Sequence, residues 1–216
     1  SYYVWLTKQF TSPINVAIPS GNFGNAYSAW FGREHGLPIN EILCSTNVND
    51  VLRRFIDGGV LEPLMTQPSV APSMDIQIPS SLERLIFDVS SETNSFYNQL
   101  QTNSKARLDE KGVDGLKNVF SSVTFSDEMI TTLITSLNDE FAIIFDPHSV
   151  TSVQMALDND SSLPTVAVAT ASPEKFGNVI SPLIKDFTET KIEENEQYLT
   201  LSTENAEIIE AIKAFL

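Results

Sequence analysis

A chain of 216 residues suits one large domain, or one domain with an appendage, and can bury a substantial core. Hydrophobic residues make up 42% and charged residues 19%, a globular balance that excludes a disordered composition. Thirteen Lys and Arg against 28 Asp and Glu leave a net charge of −15, so nucleic acid and anionic membranes are repelled and neither is expected as a partner. Any anionic ligand must then be caught by local backbone dipoles, because the global field opposes it. Cys44 is the sole cysteine, which rules out an intrachain disulfide and a cysteine-based zinc set. It reads as a small apolar residue at the end of a buried strand, in keeping with a reducing, cytoplasmic compartment. No apolar run approaches the roughly 20 residues that span a bilayer.

In chain order, Ser1 to Leu6 reads as the end of an apolar helix begun upstream rather than a signal peptide, and with the absent initiating Met it suggests a fragment. Ile14 to Ile18 is a short apolar strand stopped by Pro19. Gly21-Asn22-Phe23-Gly24-Asn25 leads into a helix from about Ala26 to His35, closed by Gly36 and Pro38. Ile39 to Cys44 is a second strand. Asn47 to Asp57 is a helix that buries Val51, Leu52, Phe55 and Ile56 and ends at Gly58-Gly59. Residues 60–79 form a long ordered loop. Ser80 and Glu83 have capping-box spacing ahead of the next helix, and Ser90 to Gly115 is polar and ambiguous. A helix opens at Ser126 and runs to about Leu137. Phe141 to Phe145 is expected as a fully buried strand, and Asp146-Pro147-His148-Ser149 turns into a helix. Thr165 to Ala169 is the last strand, followed by Thr170-Ala171-Ser172-Pro173 and a helix from Glu174. An acidic tail ends in a helix from Ala206 to Leu216. The alternation predicts an α/β fold with an open, mainly parallel sheet and helices on both faces. Residues 1–185 form the main domain, with a variable insertion at about 90–125, and 186–216 an acidic extension.

The Gly21 to Asn25 loop is the most informative segment. Its glycines let the backbone turn tightly and approach a ligand without a Cβ in the way. Its amides and the positive end of the following helix together suit a phosphate dianion without any Lys or Arg. The loop follows a strand's carboxyl end, where open parallel sheets place ligands. On spacing alone, a glycine turn with no ligand is the commoner meaning. The pattern is neither a GxGxxG fingerprint nor a Walker loop, which sets dinucleotide and nucleoside-triphosphate readings aside.

Gly21-Asn22-Phe23-Gly24-Asn25 resembles the phosphate-binding loop of the threonine synthases, fold-type II pyridoxal-phosphate enzymes. Further motifs follow in that family's order: Gly36-Leu37-Pro38-Ile39, Ser45 to Asp50 with Arg54-Phe55, Pro72 to Ile76, Leu82 to Leu85, Asp146 to Ser149, and Thr170 to Phe176. The resemblance runs from about Tyr2 to about Ile184. It implies the large cofactor-binding domain of such an enzyme, in its carboxy-terminal part, with pyridoxal phosphate as cofactor. It implies that Gly21, Asn22, Phe23, Gly24 and Asn25 hold the cofactor phosphate and that Thr170 stands beside the pyridine nitrogen. A neutral hydroxyl there leaves the nitrogen largely unprotonated. Without the resemblance, Thr170 reads as a helix N-cap, a place Ser172 could also fill. Asn47, Asn49 and Asp50 sit where a strand ends and a helix starts, so capping explains at least one of them, and the resemblance puts the segment near the active site without a substrate contact. His148 reads as a structural histidine and His35 as a residue favoured by a helix carboxyl end. Asp75 and Glu83 are too far apart in sequence to propose as an acid-base pair.

The implied reaction converts O-phosphohomoserine and water to threonine and phosphate. It requires a Schiff-base lysine, which the family carries well upstream of the glycine loop. No lysine here, from Lys8 to Lys213, stands in that motif; Lys175 matches a different family position and is expected to face solvent. No catalytic residue is therefore assigned to this chain, which alone should bind pyridoxal phosphate weakly or not at all and should be inactive. The missing amino-terminal half is its expected partner, and self-association through Tyr2, Tyr3, Trp5, Leu6 and Phe10 is expected in its absence. The alternative from a different class is a non-catalytic threonine-synthase-like module that binds a phosphate ligand or a protein.

Overall fold

The computed structural model describes residues 2–90, 92–185, 187–188, 209–210 and 213. Its framework is a four-stranded parallel sheet in the order β5-β2-β1-β6, with β1 at Ile14–Pro19, β2 at Ile39–Thr46, β5 at Phe120–Thr124 and β6 at Thr165–Ala167. Every residue of β1 is buried, as a central parallel strand covered on both faces requires. Alternation along β1 and β2 divides the core. Ile14, Val16, Ile18, Ile42 and Cys44 join one cluster, with Ala26, Ala29, Leu52 and Phe55 from helices α2 (Gly24–Glu34) and α3 (Val51–Gly58). Ala17 and Leu43 join the other, with Ile130, Ile134, Val150 and Met155 from α7 (Asp127–Phe141) and α8 (Ser149–Leu157). Helices thus cover both faces, as expected. Cys44 is fully buried, and burial pushes its thiol well above its ordinary value, in keeping with an inert core residue.

Outside the sheet, α1 (Tyr2–Thr7) precedes β1, and β3 (Val60–Leu61) pairs antiparallel with β4 (Ala106–Arg107). Helices α4 (Leu82–Val89), α5 (Thr93–Asn103) and α6 (Glu110–Lys117) complete the layer against α2 and α3, and α9 (Gly177–Ile180) follows β6. Phe96 of α5 meets Phe55 edge-on, with ring centroids 6.2 Å apart. Residues within the stretch expected as an insertion therefore reach the core, and Phe120–Thr124 supplies an edge strand. That strand was not read from the sequence, because Ser121, Ser122 and Thr124 hide its apolar alternation.

Three local expectations are corrected. Phe141 to Phe145 is not a strand: α7 continues to Phe141 and stops at Ala142, whose φ of 54° is left-handed. Only a short unpaired stretch remains before Asp146, and Phe141 and Ile143 are exposed. The capping box at Ser80 does not form. Ser81 occupies the N-cap of α4 without a side-chain bond, and Ser80 turns to Asn22 instead. The helix expected from Glu174 is a 3₁₀ turn, Pro173–Phe176, followed by the short α9. The helix expected from Ala206 to Leu216, and the acidic extension generally, lie outside the described residues apart from the few named above. No helix among the described residues is long and apolar enough to cross a membrane.

The long loop after β3 is held by a partly buried polar knot. Asp75 Oδ1 accepts from Asn47 Nδ2 at 2.6 Å, Asn49 Nδ2 at 3.0 Å and Ser69 Oγ at 2.6 Å, while Oδ2 accepts from the Ser69 amide at 3.1 Å. Asn47 and Asn49, which cap nothing by side chain at α3, are 0% and 2% exposed, so they must be satisfied inside the protein. Asp75→Ala removes the acceptor shared by these groups; Asn47 and Asn49 keep the Ala71 and Gln67 carbonyls, but the Ser69 amide and hydroxyl lose their acceptor, and the fold is expected to lose about 2 kcal/mol. Asp57→Ala, which loses one exposed ion pair with Arg53, should cost under about 1 kcal/mol. Urea denaturation of both variants checks this, and equal small losses would contradict it.

Candidate functional site

The loop after β1 sits where the sequence placed it, between the strand's carboxyl end and α2. Phe23 turns the chain with a left-handed φ of 67°, and its buried side chain meets Phe120 at 5.5 Å between ring centroids. That anchor fixes an otherwise unfavourable backbone. Among the described residues, the backbone amides of Gly21 to Ala26 donate to no protein acceptor. This is the condition of a helix start that can take an anion. Ser20, just before the loop, is buried, and its hydroxyl likewise has no partner.

Gly21 is required by contact rather than by φ. A Cβ there would lie 2.5 Å from the Ser73 carbonyl oxygen and 3.2 Å from the Met74 Cα. The 3₁₀ turn Pro72–Met74 thus forms the back of the loop. The five loop residues are not equivalent. Asn22 faces away: its Oδ1 accepts from Ser80 at 3.3 Å, and its carbonyl accepts from the Ser81 amide at 3.0 Å. Asn25 faces a cleft, where its Oδ1 accepts from the Tyr2 hydroxyl.

Thr170 lies beyond the end of β6, the strand next to β1, and is exposed. Thr170 and Asn25 line one cleft of about 480 Å³, together with Tyr2, Trp5, Leu6 and Val166 to Ala169. The Thr170 side chain caps no helix. Its amide donates to Ser149 Oγ at 2.9 Å, and Ser172 takes the N-cap position before Pro173 without a side-chain bond. Lys175 is exposed and lines a separate cleft with Asp127 and Phe176. Of the residues expected at the cut surface, Tyr2 and Trp5 are 48% and 66% exposed, whereas Tyr3 is buried and Leu6 and Phe10 pack against the core.

His148 is structural in its contacts. Its Nε2 accepts from the Ser73 amide at 3.0 Å, Nδ1 lies 3.0 Å from Asp146 Oδ1, and the ring packs on Phe176. Asp50 pairs with Arg53 and Arg54 away from the cleft. His35 ends α2, with Nδ1 2.7 Å from the Phe31 carbonyl oxygen. Sequence reasoning missed Tyr2, Ser73 and Ser149 as neighbours of the site. Only the polar residues crowded into Asp146-Pro147-His148-Ser149 hinted at the last.

The parallel sheet, with a glycine loop at the end of β1 and a threonine at the end of the adjacent β6, is the large-domain architecture of the fold-type II pyridoxal-phosphate enzymes. Within that class, the chain is similar along most of its length to threonine synthases. It is 29% identical to threonine synthase of Saccharomyces cerevisiae over 94% of this chain and 46% of the yeast protein. It is 30% identical to threonine synthase-like 1 of Macaca fascicularis over 95% of this chain and 29% of that protein. The crystal structure of PLP-bound threonine synthase from Brucella melitensis superposes with a TM-score of 0.84 at 25% identity, over 99% of this chain and 49% of that one. The chain therefore spans about half the length, or less, of the relatives it matches. No family model matches it.

Burial alone would raise the Asp146 carboxyl, but hydrogen bonds from His148 and Ser149 outweigh it and hold the group below the usual carboxylate range. The stability it contributes is fully present above the unfolded value of roughly 4 and is lost as pH falls through the lower folded value. Asp146→Asn should therefore flatten the acid limb of the stability–pH curve below about pH 4. An unchanged limb in pH-dependent urea denaturation would contradict this. Gly21→Ala should cost about 2 kcal/mol through its clash with Ser73, read by urea denaturation, and an unchanged midpoint would contradict this.

Proposed function

We propose that the chain is the carboxy-terminal part of a threonine synthase, acting with pyridoxal phosphate in converting O-phosphohomoserine and water to threonine and phosphate. The observation that carries this reading is the cleft shared by Asn25 and Thr170. Asn25, the last residue of the glycine loop, and Thr170, the residue expected at the cofactor ring, line it together although they are 145 residues apart in sequence. The residues fit the group. Free amides from Gly21 to Ala26 and the buried, unpaired Ser20 hydroxyl are donors suited to a phosphate, and the eleven-residue α2 adds its positive end. A protein of net charge −15 needs such a local, backbone-based anion site.

When bound, pyridoxal phosphate supplies an electron sink for carbanion chemistry at the substrate amino acid. In this reading Gly21, Asn22, Phe23, Gly24 and Asn25 hold the phosphate through the backbone, and the Asn22 side chain also braces the loop against Ser80. The Thr170 hydroxyl meets the ring nitrogen as a neutral partner. Exposed apolar groups at Tyr2 and Trp5 meet the amino-terminal portion that carries the Schiff-base lysine, and the enzyme is cytoplasmic. The main domain is 1–185, with 186–216 as an extension.

A second reading has one specific support, the similarity to threonine synthase-like 1, which matches the threonine synthases' level of identity. It makes the chain part of a non-catalytic module that keeps the phosphate loop. One experiment separates the readings. Alone, the chain should give no borohydride-reducible absorbance band with pyridoxal phosphate and release no phosphate from O-phosphohomoserine. Supplied with a threonine synthase amino-terminal portion bearing the lysine, it should gain both. A reducible band on the chain alone would overturn the upstream lysine, and a folded complex with a band but no turnover would favour the non-catalytic module.

A further inference from the structure

We infer that the Asp146-Pro147-His148-Ser149 turn is a two-armed brace that sets the phosphate loop and Thr170 against each other, with His148 and Ser149 as separate positioning residues. This rests on the cofactor reading above and adds roles that the motif resemblance did not supply. All four residues are buried at the start of α8, which packs across β1, β2 and β6, so the turn is fixed to the strands that carry both walls of the cleft.

One carboxylate oxygen organises the turn. Asp146 Oδ1 accepts from the His148 amide at 2.9 Å and the Ser149 amide at 3.3 Å, and lies 3.0 Å from His148 Nδ1. The far nitrogen of His148 must be bare, because it accepts the Ser73 amide at 3.0 Å. Nδ1 therefore carries the proton and donates to Asp146, so geometry selects the tautomer.

The first arm runs from His148 to Ser73, whose carbonyl oxygen would stand 2.5 Å from a Cβ at position 21. Moving Ser73 moves the back wall of the phosphate loop. The second arm is the adjacent side chain: Ser149 Oγ accepts the Thr170 amide at 2.9 Å and so holds the end of β6. One arm sets the phosphate side of the cleft and the other the ring side. A merely structural turn would support both sides alike.

The test compares pyridoxal phosphate with pyridoxal, which lacks the phosphate, on the full 216-residue chain. Amide resonances of Gly21, Gly24 and Thr170 are followed during titration, which reads affinities into the millimolar range. The wild type should prefer pyridoxal phosphate. His148→Asn, which places an amide near Nδ1 but no acceptor at Nε2, should lose about tenfold of that preference while pyridoxal affinity stays within about twofold. His148→Gln, which can carry an acceptor to the Nε2 position, should restore most of the preference. Ser149→Ala should do the opposite, weakening both ligands about equally, leaving the preference intact and shifting the Thr170 resonance. If the Asn and Gln variants behave alike, or if His148→Asn and Ser149→Ala lower both ligands in the same proportion, the brace is overturned while the cofactor reading stands. A wild type with no preference for the phosphorylated ligand overturns the cofactor reading, and the brace with it.

Discussion

The architecture of the cleft depends on one close contact, the packing of the Gly21 backbone against the turn at Pro72–Met74. With a Cβ-to-oxygen approach of 2.5 Å at stake, the loop after β1 can lie this close to Ser73 only as glycine. The turn it leans on is held from two further directions. Asp75 ties it to Asn47 and Asn49 beyond β2, and His148 ties it to the start of α8. Three segments remote in sequence thus determine where the unpartnered amides of the loop stand. Each tether starts from a buried side chain, Asn47, Asn49 or His148, whose polar atoms must be satisfied within the protein.

The charge of the molecule gives that construction its chemical sense. An acidic protein that must hold a phosphate can place a lysine in the site or use the backbone, and here the described cleft of Asn25 and Thr170 contains no lysine or arginine. Amides and a helix end attract an anion only over short range, so their aim matters more than the field of the whole protein. A set of buried braces behind a glycine loop is the structural counterpart of that requirement.

Much of this was legible in the residues. Mostly apolar runs at β1 and at Ile42 to Cys44 of β2, each stopped before a polar or glycine turn, identify central parallel strands, and their burial agrees. The loop and Thr170 fall at adjacent strand ends because β1 and β6 pair in parallel, which brings their carboxyl ends to one edge of the sheet. The strand Phe120–Thr124 was hidden, since at the sheet edge its half-buried serines alternate with an exposed valine and leave no apolar run to read. Phe141 to Phe145 misled in the opposite sense. Its apolar run serves the end of α7 and an unpaired stretch, and hydrophobicity alone cannot tell a strand from a helix end. The separate duties of Asn22 and Asn25 were also illegible, because which asparagine faces Ser80 and which faces the cleft depends on the turn Phe23 makes.

The central claim is that the amides of Gly21 to Ala26 grip a phosphate on the same side of the sheet as Thr170. A crystal structure of the chain, together with a lysine-bearing amino-terminal portion and pyridoxal phosphate, measures this directly. The account predicts phosphate oxygens within hydrogen-bond distance of those amides and the ring nitrogen at the Thr170 hydroxyl. A cofactor held by other residues, with the loop amides turned to solvent, would contradict it.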